Sequence, residues 1–161
     1  MTWDFLVALP VVLPLFGAGL SLAFASVRRL QGILSAGILG IVWLVAGTLL
    51  VMSASGPVVL DVANWAAPVG ISLVADRLSA IMLFTSVTVT LTVLLYSLAQ
   101  GAADGDDAAP IAVYHPAFLL LSAGVSNAFL SGDLFNIYVG FELLLTASFV
   151  LITLGLSLIH I

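Results

Sequence analysis

Long apolar runs separated by single or paired charges set the pattern of this chain. Uncharged stretches occupy residues 5–27, 30–60, 78–103 and 108–132, and a fifth run, 134–157, is interrupted only by Glu142. A helix rising ~1.5 Å per residue needs about 20 residues to cross a hydrocarbon core of ~30 Å, so each run is long enough to span a bilayer. None alternates with period two as a barrel strand does, and in lipid a helix satisfies its backbone polar groups internally. The pattern predicts an all-α polytopic membrane protein with about five transmembrane helices. Their expected positions are about 4–25, 30–52, 77–100, 111–130 and 133–156, in a single region over residues 1–157. Pro10 and Pro14 fall inside the first helix, where a kink is expected.

Between the second and third helices, Val58 to Val62 and Ile71 to Val74 flank Asn64, Trp65 and Pro68, which predicts a short β-hairpin-like outer loop. Trp65 and Trp3 suit headgroup depth, where amphipathic aromatic rings concentrate. Arg28 and Arg29 are the only paired basic residues and lie between the first two helices. The positive-inside tendency puts that link in the cytoplasm, with the N-terminus and the hairpin outside; single Arg77 counts the other way and weighs less. The segment GAADGDDAAP, residues 101–110, reads as a solvated inner loop without the ligand spacing of a calcium loop. Asp76 and Asp133 precede the third and fifth helices and read as N-caps.

Composition narrows the field. At 63% hydrophobic and 7% charged residues, with a mean hydropathy of +1.32, a soluble domain is excluded. A net charge of −5 argues against nucleic acid as a partner and leaves no polybasic patch for anionic lipid. The absence of cysteine removes disulfides, thiolate metal sites and iron–sulfur chemistry.

Glu142 is where the sequence becomes specific about chemistry. It sits roughly 12 Å into its helix, near the expected midplane, and an ionisable group at that depth is a functional hypothesis by default. Helical spacing places Ser131, Tyr138, Thr146 and Thr153 on its face, as a polar stripe. A protonated, purely structural glutamate that hydrogen-bonds a neighbouring helix is the alternative. Thr85, Thr88, Thr92 and Tyr96 form a second polar face, which either bonds back to its own carbonyls or lines a water path. In the fourth helix His115, Ser122 and Ser126 share one side; His115 is either a proton shuttle or an interfacial side chain near the inner end.

The string SGDLFNIYVGFELLLTASFVLITLG, residues 131–155, resembles the fifth-helix motif of the proton-conducting antiporter-like family, especially the D-type subunit of Mrp-type sodium/proton antiporters. VGISLVADRLSAIMLF, residues 69–84, is similar to that subunit's third-helix entry, and LPVVLPL, residues 9–15, to its first helix. The resemblance implies an ion-translocating subunit of a multi-subunit sodium/proton antiporter in the cell membrane, a secondary transporter subunit and not an enzyme, without cofactor or metal. It implies the lipid bilayer, other antiporter subunits, protons and sodium as partners. It also places the family's proton-handling glutamate at Glu142, paired with a lysine of a later helix, and this chain contains no lysine. Tyr138, Thr146, His115, Thr88 and Thr92 are candidates for an accompanying polar path. The ending LSLIHI departs from the family's polar loop, so residues 156–161 read as a non-native tail on a truncated gene fragment. Two other functions stay open: a proton-pumping membrane subunit of a complex I-like or hydrogenase oxidoreductase, and a non-transporting membrane scaffold.

Overall fold

The computed structural model describes residues 3–65, 70–100 and 113–156. Within them lie five α-helices and a two-stranded antiparallel sheet: α1 (Leu9–Ala23), α2 (Arg28–Met52), β1 (Val58–Asp61), β2 (Ser72–Ala75), α3 (Arg77–Ala99), α4 (Tyr114–Leu130) and α5 (Leu134–Leu156). Helices α2, α3 and α5 are each long and apolar enough to cross a membrane, and α1 is a shorter apolar helix. The all-α membrane architecture expected from the apolar runs is therefore present, with the hairpin between the second and third helices. The segment 101–110 expected as an inner loop, Pro68 and the residues from 157 expected as a non-native tail lie outside the described residues.

Local chemistry explains where the elements start. The expected first span divides into a 3-10 turn, Trp3–Val7, followed by α1. Pro10 stands in the first turn of α1, where its missing N–H removes no intrahelical bond, and Pro14 lies inside the helix. β1 and β2 pair in the register Val58 with Ala75 through Asp61 with Ser72. The chain leaves β2 directly into α3, whose N-cap is Asp76: its Oδ1 accepts from the Ser79 backbone N–H at 2.7 Å. The backbone and side-chain hydrogen bonds from Ser79 hold the Asp76 carboxyl below its ordinary pKa.

The second strand also docks on the turn between α4 and α5. Leu73 forms a bridge with Ser131, and the Gly132 N–H donates to the Ser72 carbonyl at 2.8 Å. Asp133 serves both sides of this junction. Its Oδ1 accepts from the Asn136 N–H at 2.8 Å, capping α5, while its Oδ2 accepts from the Ser72 N–H at 3.4 Å. Ser131 ends α4 and its hydroxyl donates to the Asn127 carbonyl at 2.7 Å. It therefore does not extend the polar stripe of Glu142, because the helical periodicity that links them in the sequence is broken at the turn.

Helix α4 is the centre of the bundle and packs against α1, α2, α3 and α5. One apolar cluster near the hairpin joins Val7, Val42, Leu49, Leu73, Leu83 and Leu130; a second, further along, joins Ala18, Leu39, Leu94, Phe118 and Leu119. The α4–α5 approach is tightest at two glycines. A Cβ at Gly124 would lie 2.7 Å from the Leu144 nitrogen, and one at Gly140 would lie 3.0 Å from the Ala128 nitrogen. Small residues at such a crossing let helix backbones meet where lipid supplies no hydrophobic drive for association. Gly140→Val should therefore push the helices apart and destabilise the fold by about 1–3 kcal/mol. The unfolding midpoint in detergent micelles measures this, and an unchanged midpoint would rule out the close crossing.

Candidate functional site

Helix α5 has two faces of opposite character. Asn136, Gly140 and Ala147 are buried against α4, whereas Tyr138, Glu142, Thr146 and Phe149 are exposed on the far side. The Tyr138 hydroxyl interacts with the Glu142 carboxylate one turn on. Thr146 follows a further turn along, and the Thr153 hydroxyl at the end of the face bonds back to the Val150 carbonyl at 2.8 Å. The face thus presents an acid between a phenol and a hydroxyl, with hydrogen-bonding capacity turned away from the bundle. Such an arrangement can hold a proton or receive a cationic side chain from another helix.

The other candidates are placed elsewhere. The Thr88 hydroxyl donates to the Phe84 carbonyl at 2.7 Å and accepts from the Trp43 indole N–H at 2.9 Å. The Thr92 hydroxyl donates to the Thr88 carbonyl at 2.7 Å, and the Tyr96 hydroxyl accepts from Gln100 Nε2 at 2.6 Å. These groups belong to α3, which packs against α2 and α4. His115 stands in the first turn of α4, 3% exposed, with Tyr114 edge-on at a ring separation of 5.3 Å. Gly124 lies beside Gly140 and Leu144 in the antiparallel α4–α5 pair, so Glu142 is level with Gly124 and roughly 13 Å in height from His115. Tyr138, Glu142 and Thr146 are brought together; His115, Thr88 and Thr92 are not brought to them.

One buried polar pair has no counterpart among the candidates that helical spacing supplies. Asn127 Nδ2 donates to the Asn136 carbonyl and to Asn136 Oδ1, both at 3.1 Å, and Asn136 Nδ2 returns a bond to Asn127 Oδ1 at 3.3 Å. The signal in the sequence is two carboxamides inside otherwise apolar runs, which in lipid need partners on another helix.

No family model matches the chain. A curated relative from Staphylococcus haemolyticus, named "Putative antiporter subunit mnhD2", is 40% identical over 154 residues, which is 94% of this chain and 30% of the relative. In the solved structure of the Mrp complex from a Dietzia species, a chain 36% identical superposes with a TM-score of 0.81, covering 92% of this chain and 27% of that one. This chain resembles the D-type subunit of Mrp antiporters. It spans 30% of the length of the curated relative it matches. A chain of the membrane-bound sulfane sulfur reductase, an archaeal respiratory membrane complex, shares the fold with a TM-score of 0.79 at 24% identity. A name that speaks of an antiporter subunit is in keeping with the long apolar helices α2, α3 and α5.

The Asn127–Asn136 pair makes a stability prediction. Asn127→Ala should cost about 1 kcal/mol, because it leaves the Asn136 amide buried without its partner. The Asn127→Ala/Asn136→Ala double variant should lose little more than either single variant in the unfolding midpoint. Additive losses would show that the two amides act independently.

Proposed function

We propose that this chain forms part of an ion-translocating membrane subunit of a multi-subunit sodium/proton antiporter, in which Glu142 handles protons. The observation that carries this reading is the position of Glu142 on the exposed face of α5, between Tyr138 and Thr146, in a chain that spans 30% of its antiporter-subunit relative. A carboxylate left facing lipid at the bilayer centre costs about 2.5–3.5 kcal/mol on insertion scales, so the face calls for a polar partner. The remaining helices of the subunit supply that partner, a cationic side chain that approaches and leaves Glu142 and so makes its proton occupancy switchable. The three basic residues here, Arg28, Arg29 and Arg77, all lie outside α5, and the chain contains no lysine. Tyr138 and Thr146 orient the carboxyl and pass protons along the face.

Charge, and not shape, is what this role requires. In an assembled antiporter complex carrying this sequence, Glu142→Gln should abolish sodium-dependent proton flux while insertion and assembly persist. Glu142→Asp should retain partial flux, because the acid remains but is withdrawn by one methylene, and Thr146→Val should weaken flux less than Glu142→Gln. Fluorescent pH measurement in vesicles, with assembly followed in parallel, checks the series. Full flux in Glu142→Gln would make this residue structural and favour the scaffold.

The same reading places the chain in the plasma membrane with its N-terminus outside, on the strength of Arg28 and Arg29 in the α1–α2 link. Ser26 and Ser55 are both exposed, on that link and beside the hairpin respectively. An impermeant thiol reagent added outside should label Ser55→Cys and spare Ser26→Cys in a chain with no other cysteine. The reverse pattern would invert the topology.

A further inference from the structure

A second polar region lies inside the bundle, where α1, α2 and α4 meet near the α1–α2 link. The heights of its members follow from one contact: a Cβ at Gly17 of α1 would meet Ile38 of α2 and Leu119 of α4. About one turn nearer the link stand Ser21 on α1, Ser35 and then Gln31 on α2, and His115 on α4. All four are enclosed: Ser21 and Ser35 are 0% exposed, Gln31 1% and His115 3%. Gln31 Nε2 donates to the Ser21 carbonyl at 2.7 Å, which joins α2 to α1. Gly32, between Gln31 and Ser35, is beside the imidazole: a Cβ there would lie 3.7 Å from His115 Nε2, at van der Waals contact. About one turn further along, Leu39 and Leu119 are fully buried in an apolar cluster.

The hydroxyls of Ser21 and Ser35 meet no hydrogen-bonding partner among the described residues. Their neighbours in kind behave differently. Thr48, Thr88, Thr90 and Thr92 each bond back to the carbonyl four residues earlier, as hydroxyls in membrane helices commonly do. A buried hydroxyl left unsatisfied costs about 1–3 kcal/mol, and two occur on facing helices at the level of the buried histidine. A polar enclosure with several convergent donors and acceptors is the kind of site that retains ordered water. Hydroxyls, a carboxamide and an imidazole, without a described carboxylate among them, suit water better than a bare metal cation.

We propose that Ser21, Ser35, Gln31 and His115 form a small internal hydration site, in which water bound to the two serine hydroxyls reaches the His115 imidazole. The site gives His115 contact with water from within the bundle, on the opposite side of the α4–α5 crossing from the face that carries Glu142. It does not depend on what the subunit transports.

The natural absence of cysteine makes the test clean. The full chain in lipid vesicles, carrying Ser21→Cys or Ser35→Cys, is treated with methyl methanethiosulfonate, a small reagent that requires a hydrated thiolate. Mass spectrometry follows the adduct. Leu39→Cys, at an equally buried apolar position one turn from Ser35, is the reference. Both serine replacements should react at least about tenfold faster than the reference. The unsubstituted chain gives an independent measurement that requires no variant to fold: hydroxyl radicals generated in situ from internal water should oxidise His115 despite its burial. Reaction of both cysteines at the Leu39→Cys rate, or protection of His115 to the level of Phe118 beside it, overturns the proposal.

Discussion

The contact between α4 and α5 at Gly124 and Gly140 is the constraint from which the rest of the arrangement follows. Lipid is as apolar as the side chains it surrounds, so helices in it are held by close packing and by hydrogen bonds between them. Two glycines permit the first, and the Asn127–Asn136 amide pair supplies the second a few residues away. Once Gly140 is committed to α4, helix geometry dictates the rest of α5. Glu142 stands two residues on, about 200° around the axis, and is necessarily turned away from the bundle. The exposure of the acid is thus a consequence of the glycine contact and not an independent choice.

The end of the bundle that carries the hairpin is fixed in a similar way. Asp133 accepts from the first turn of α5 with one oxygen and from β2 with the other, so the hairpin, the turn after α4 and the start of α5 share a single carboxylate. Gly132 allows the strand to come close enough, since a Cβ there would lie 3.0 Å from the Ser72 carbonyl oxygen. Asp76 then caps α3 as it leaves the same strand. Two aspartates therefore set the entry of two helices relative to one small sheet.

Whatever depends on local chemistry is legible in the sequence. The five helices, the hairpin flanking Trp65 and the capping roles of Asp76 and Asp133 follow from run length, β-branched clusters and acids before apolar segments. What depends on which helix faces which is not. Counting turns groups Ser131 with Glu142, yet α4 ends at Leu130 and α5 begins at Leu134, and periodicity does not pass through the break. Spacing leaves Thr88 either bonding back to its own helix or lining a water path; its hydroxyl bonds back to Phe84 and also accepts from Trp43 of α2, a partner 45 positions away that spacing does not reveal. His115 reads from the sequence as a shuttle or an interfacial side chain; it is buried, 3% exposed, beside Gly32 of α2, a neighbour that no spacing rule reveals.

Glu142 and His115 are governed by different physics although both are ionisable groups in an apolar chain. The carboxyl lies on a helix face that the described residues leave exposed, with Tyr138 as its neighbour one turn away. The imidazole stands inside the bundle, 3% exposed, at the level of the buried Ser21 and Ser35 on α1 and α2. The α4–α5 crossing lies between the two, and its Asn127–Asn136 amide pair is polar without being ionisable. On the reading proposed above, the exposed face of α5, which carries the acid, is where this chain meets the other helices of its subunit.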